Sequence, residues 1–150
     1  MKIPEEETLE AVMYSAPLSE TEALAYHPLS LAFIGDSVYE NYVRERILRR
    51  APRMVPRELH LQAIRYVKAS SQSRIVEELE PLFTEQEHYV YKRGRNTKSG
   101  TVPKNADVLD YRRASGFEAL IGYLYLTGNT ERLQILIDHA FTVVEGENHD

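Results

Sequence analysis

The feature that most constrains this chain is a single acid set inside an apolar helical pattern. From Leu29 to Arg50 the sequence runs LSLAFIGDSVYENYVRERILRR. Leu31, Ile34, Val38 and Tyr42 recur at intervals of three and four, the spacing of one helix face. Asp36 sits beside that stripe, next to Gly35. A buried carboxylate without a partner is costly, so a partner is expected. The stretch from Ser115 to Leu126, SGFEALIGYLYL, repeats the pattern with Glu118 and Gly122. The two stretches are read as touching helices, with the glycines allowing close approach and the acids meeting across the seam.

Two carboxylates on facing helices form a hard-oxygen site. Mg²⁺ takes one or two carboxylates, several waters and substrate phosphate oxygens. The plainer alternative holds each acid by backbone groups, a hydroxyl or an ion pair. Glu40 shares a helix face with Asp36 and is read as the solvated partner of Arg44. Glu85 and His88 match half of a di-iron pattern, but no second copy exists.

The rest of the chain reads as helices, giving an all-α fold in one domain over residues 1–150. Residues 1–18 are expected to be loosely held and 145–150 to form a tail. Ser19 with Glu22, and Thr84 with Glu87, are capping boxes. Pro28 and Pro56 each suit a first helical position. The pattern predicts one long helix from Pro56 to about Leu79, with Leu59, Ala63, Tyr66, Val67, Ile75 and Leu79 inward. Its small polar middle, Ala69 to Ser73, suits close packing. A shorter helix to about Arg93 follows, then a loop from Gly94 to Pro103. The next helix is placed from about Asn105 to Thr127, with Gly128 just past its end. A final helix buries Leu133, Leu136, Ile137, Ala140, Phe141 and Val144. No sustained alternation of period two marks a strand.

Several functions are excluded. There is no cysteine, hence no disulfide, thiol nucleophile or thiolate zinc site. That suits a reducing compartment, and the chain is expected to be cytoplasmic. The acidic start, MKIPEEETLE, is not a secretory signal, and no run approaches the ~20 apolar residues of a membrane span. No phosphate-binding glycine loop or nucleophile elbow is present. The net charge of −5 is unevenly spread. Lys92 to Lys104, KRGRNTKSGTVPK, holds five basic residues and no acid. Lys92, Arg93, Arg95, Asn96, Lys98 and Lys104 are therefore candidate contacts to phosphates or sugar hydroxyls. Arg44, Arg46, Arg49, Arg50, Arg53 and Arg57 are diluted by Glu45 and Glu58 and are read mostly as surface.

Leu31-Ala32-Phe33-Ile34-Gly35-Asp36-Ser37-Val38 resembles the signature helix of ribonuclease III endonucleases. Phe117-Glu118-Ala119-Leu120-Ile121-Gly122 resembles their second catalytic helix. Arg93-Gly94-Arg95-Asn96-Thr97-Lys98-Ser99-Gly100 is similar to the loop of the mini branch of that family. The similarity covers nearly the whole chain from about Ser19 to Val144. It implies a magnesium-dependent endonuclease that cuts double-stranded RNA as a homodimer, with Asp36 and Glu118 as the catalytic, metal-binding acids. Fuller members carry an acid four residues before the Asp and another three before the Glu. Here those places are Ala32 and Ser115. Asp107 cannot stand in for them, being ~16 Å from Glu118 along a straight helix.

The resemblance to the mini branch implies a precursor of large-subunit (23S) ribosomal RNA as substrate, and it leaves room for a ribosomal-protein helper. It leaves none for an appended double-stranded RNA-binding domain, so RNA capture falls to the dimer body and the basic stretch. Two rivals stand beside it. One is a non-catalytic RNA-binding or ribosome-associated protein on the same scaffold. The other is a purely structural helical dimer.

Overall fold

A computed structural model describes residues 16–98, 102, 104 and 107–146. Among them are seven helices: α1 (Glu20–Leu24), α2 (Pro28–Arg50), α3 (Pro56–Val67), α4 (Ala69–Leu79), α5 (Glu85–Asn96), α6 (Val108–Leu126) and α7 (Thr130–Gly146). A 3₁₀ turn, Glu80–Leu82, links α4 to α5. No strand occurs among the described residues.

The helix ends follow from local side-chain chemistry. Ser19 Oγ accepts from the Glu22 amide while the Glu22 carboxylate accepts from the Ser19 amide, both at 3.1 Å. Thr84 and Glu87 repeat that reciprocal cap on α5. Pro28 opens α2, and His27 Nδ1 accepts from the Leu29 amide. The Asp107 carboxylate caps α6 through the Asp110 amide, which gives it a structural task at the start of the helix that carries Glu118. At the other end of α6, Gly128 takes φ +70°. There the amides of Gly128 and Asn129 donate to the carbonyls of Tyr125 and Leu124, a Schellman closure that needs a left-handed residue.

Helix α6 is the axis of the molecule. It packs against α2, α4, α5 and α7, and every residue from Ala119 to Leu124 is buried. Each large apolar side chain enclosed in this way contributes roughly 1.5–3 kcal/mol. Tyr39 from α2 packs edge-on to Phe117, and α7 covers the rear with the six residues its spacing predicts. Ion pairs at both ends lock α7 in place. Arg132 binds the buried Glu87 at 2.8 Å, and Arg46 binds Glu145 at 2.6 Å.

Four predicted features are corrected. The buried face of α2 is Leu31, Ala32, Gly35, Tyr39, Val43 and Ile47, whereas Ile34, Val38 and Tyr42 are only half-buried. Gly35 is the point of closest approach, so α2 turns its glycine face, not its bulkiest face, toward α6. The long helix over 56–79 breaks at Lys68, which is extended at φ −63° and ψ 151°. Side chains from the second half satisfy the carbonyls freed by the break. Ser71 Oγ donates to Arg65 O at 2.6 Å and Gln72 Nε2 to Val67 O at 2.8 Å.

The loop placed from Gly94 instead begins after Asn96, because α5 continues against α6. A Cβ on Gly94 would lie 2.8 Å from Ala119 Cβ and 2.9 Å from Gly116 Cα. Helix α6 starts at Val108 and not near Asn105. Asn105 itself, Ser99, Gly100, Thr101 and Pro103 lie outside the described residues, as do 1–15 and 147–150.

Candidate active site

The seam between α2 and α6 is backbone against backbone. A Cβ on Gly35 would sit 1.7 Å from Glu118 O, and one on Gly122 would sit 2.0 Å from Leu31 O. Glycine at both places is what brings the two acids together. Asp36 is exposed on the rim, and Glu118 is half-buried behind it.

The Glu118 carboxyl is pushed up to about 9, first by burial, then by its hydrogen bond to Asp36 and by the charge of Asp36. A hydrogen bond from Gln72 pulls the other way, and Glu40 adds a weaker push. The charge of Asp36 disfavours ionisation of Glu118, and a cation held between the two would relieve that. All their donor atoms are hard oxygens, and no cysteine exists in the chain. The pair therefore fits a hard divalent cation. Among the described residues no cluster of three Asp, Glu, His or Cys forms, so water or substrate would complete any shell. Glu40 binds Arg44 at 2.9 Å, the partner its spacing predicts.

Gln72 was legible in the sequence only as part of a small polar run. In the structure its side chain is 3% exposed and reaches both the Val67 carbonyl and Glu118. A long amide in a run of serines on an otherwise apolar face was the available signal.

Residues 29–129 match the ribonuclease III domain family. The chain belongs to the ribonuclease III family. Mini-ribonuclease 3 of Brevibacillus brevis is 48% identical over 122 residues, covering 81% of this chain and 90% of its own length. Mini-ribonuclease 3 of Streptococcus pneumoniae is 45% identical over 120 residues, covering 79% and 93%. The X-ray structure of a Fusobacterium nucleatum protein superposes with a TM-score of 0.72 at 30% identity, covering 82% of this chain and 95% of that one. The chain is thus a ribonuclease III-family endoribonuclease of the mini-ribonuclease 3 type.

In this ribonuclease III the two thinned positions differ in setting. Ala32 is buried in the core, whereas Ser115 lines an open pocket. The six basic-stretch candidates also part company. Lys92, Lys98 and Lys104 are exposed. Arg93 donates to the Leu24 carbonyl at 3.1 Å and lies over the Tyr89 ring, so it helps to hold α1. Arg95 lies over the Tyr91 ring and donates to Asn96 Oδ1 at 3.0 Å. The half di-iron pattern dissolves, because His88 pairs with Glu80 at 2.9 Å.

Proposed function

We propose that this ribonuclease III cleaves double-stranded RNA as a homodimer, using Mg²⁺ held by Asp36 and Glu118. The observation that carries the reading is the glycine seam, which sets the segments bearing Asp36 and Glu118 backbone to backbone, close enough for Asp36 to raise the Glu118 carboxyl. Asp36 and Glu118 would hold the cation, which would supply positive charge to keep Glu118 ionised and to activate a water; attack of that water in line on the phosphorus would break the bond to the 3′-oxygen and give a 5′-phosphate and a 3′-hydroxyl.

The protein's own groups set the geometry. Gly35 and Gly122 fix the distance between the helices. Gln72 holds the Glu118 carboxyl from behind, leaving Asp36 free at the rim to face substrate. Lys92, Arg95, Asn96, Lys98 and Lys104 lie on the α5 end and the stretch beyond it, and they would bind phosphates and 2′-hydroxyls of an A-form duplex. Arg93 would do so only by leaving its carbonyl.

The dimer reading rests on the outer face of α2. Phe33 is 82% exposed on α2, which also lines a shallow depression of mixed polarity formed by Ile34, Ser37, Val38, Asn41, Tyr42 and Tyr125. A large aromatic left this exposed fits burial against a second copy of the same face across a two-fold axis. One site per subunit would then cut one strand each. The substrate we propose is a precursor of 23S ribosomal RNA in the cytoplasm, with a ribosomal protein as a candidate helper.

The test is cleavage of a long RNA duplex with Mg²⁺ or with chelator, by wild type and by Asp36→Asn. We expect cutting only by wild type with Mg²⁺, and duplex binding by both. Wild-type cutting rates in Asp36→Asn would overturn the site. Binding without cutting by the wild type would assign the scaffold a non-catalytic role.

A further inference from the structure

One helical turn before Glu118, α6 forms the floor of a second feature. Thr97, Lys98, Val102, Tyr111, Arg112 and Ser115 surround an open pocket of about 300 Å³. Lys98 and Arg112 are exposed, while Tyr111 and Ser115 are half-buried. Among the described residues, no side-chain hydrogen bond or ion pair engages Lys98, Tyr111, Arg112 or Ser115. Two cations and two hydroxyls thus line one pocket without a side-chain partner among the described residues. The nearest acid on the same helix, Asp110, lines a different pocket with Lys68 and Arg74.

The placement relative to the acids is set by helix geometry. Tyr111, Ser115 and Glu118 follow each other at intervals of four and three, so they share one face of α6. Ser115 is about 4.5 Å from Glu118 along the axis. An acid at position 115 would face both cations and neutralise them, whereas serine leaves the pocket positive and adds a hydroxyl. An arginine fork with a lysine and hydroxyls beside it is the donor set of a phosphate site.

We propose that Lys98, Tyr111, Arg112 and Ser115 form a subsite for a backbone phosphate of duplex RNA next to the one cut at Asp36 and Glu118. Arg112 supplies the principal charge. The pocket then sets which phosphodiester is presented to the two acids, by gripping its neighbour. This rests on the duplex-RNA reading of the acid pair.

The test uses full-length protein carrying Asp36→Asn, so that RNA is bound and not cut. Affinity is measured for a set of RNA duplexes, each with one neutral methylphosphonate linkage at a different position around the cut. One linkage close to the cut should weaken binding about tenfold. Adding Arg112→Ala should lower affinity for the unmodified duplex, reduce the salt slope by about one, and abolish the effect of that one linkage. Arg112→Lys, which keeps the charge, should retain the slope. Equal affinity and slope with and without Arg112→Ala would overturn the subsite, as would an undiminished effect of every linkage. If the protein binds no duplex before Arg112 is changed, the duplex reading itself fails, and the two failures are told apart.

Discussion

Gly35 lies against the backbone carbonyl of Glu118 so closely that a β-carbon at 35 would come within 1.7 Å of that oxygen. No side-chain rotation relieves a clash with main chain. Gly35→Ala should therefore destabilise the protein by about 3 kcal/mol, although alanine is the better helix former. Urea denaturation of the variant measures this. A midpoint equal to wild type would mean that the seam can open without penalty.

The protonation of Glu118 should shape stability in the absence of metal. Its folded value, raised to about 9, lies above the ordinary 4.5. Between those values the folded state binds more protons than the unfolded state, so stability falls as pH rises. The contribution is complete below pH 4.5 and lost as pH climbs through 9. Thermal melts in chelator from pH 5 to 9 should show the decline in wild type. Glu118→Gln should flatten it, and added Mg²⁺ should offset it at the alkaline end. A wild-type slope unaffected by Glu118→Gln would detach the effect from this residue.

Gln72 should matter for metal affinity more than for folding. Gln72→Leu keeps the volume but removes the amide that faces Glu118, and it leaves the Val67 carbonyl without its donor. Loss of such a supporting hydrogen bond weakens metal sites by roughly 10–100-fold. Titration with Mn²⁺, followed by electron paramagnetic resonance, reads binding without any turnover. Unchanged Mn²⁺ affinity in a folded Gln72→Leu protein would limit Gln72 to holding the helix break.

Phe33 offers a direct test of self-association. Phe33→Asp places a charge on the most exposed apolar side chain of α2 without disturbing the buried face. Sedimentation should show wild type as a dimer and the variant as a monomer with its melting temperature within a few degrees. Identical sedimentation of the two proteins would move the interface elsewhere.

Much of this architecture was legible in the residues. Both capping boxes, both proline starts, Gly128 and the inward face of α7 formed as local chemistry dictates, because each depends on neighbours within one or two turns. The proposed pairing of Asp36 with Glu118 came from an acid and a glycine within about one turn of each other in each of two apolar runs.

What escaped was set by distant contacts. Nothing local shows that α5 runs through Gly94, since that glycine is kept helical by Gly116 and Ala119 across the interface. The break at Lys68 carries no proline or glycine; it exists because Ser71 and Gln72 satisfy the opened carbonyls. The face of α2 was misjudged by reading bulk where the partner helix selects for absence of bulk. The pocket at Arg112 needed the fold, because Lys98 and Ser115 are far apart in sequence.

The interruption at Lys68 makes the carboxylate pair sensitive to a joint it does not touch. Gln72 closes that joint with the same amide group that steadies Glu118. Prising α3 from α4 would pull this amide off the Val67 carbonyl. A bend in this hinge would thus silence the nuclease while the bundle still looks intact by circular dichroism, like a fuse that blows ahead of the wiring.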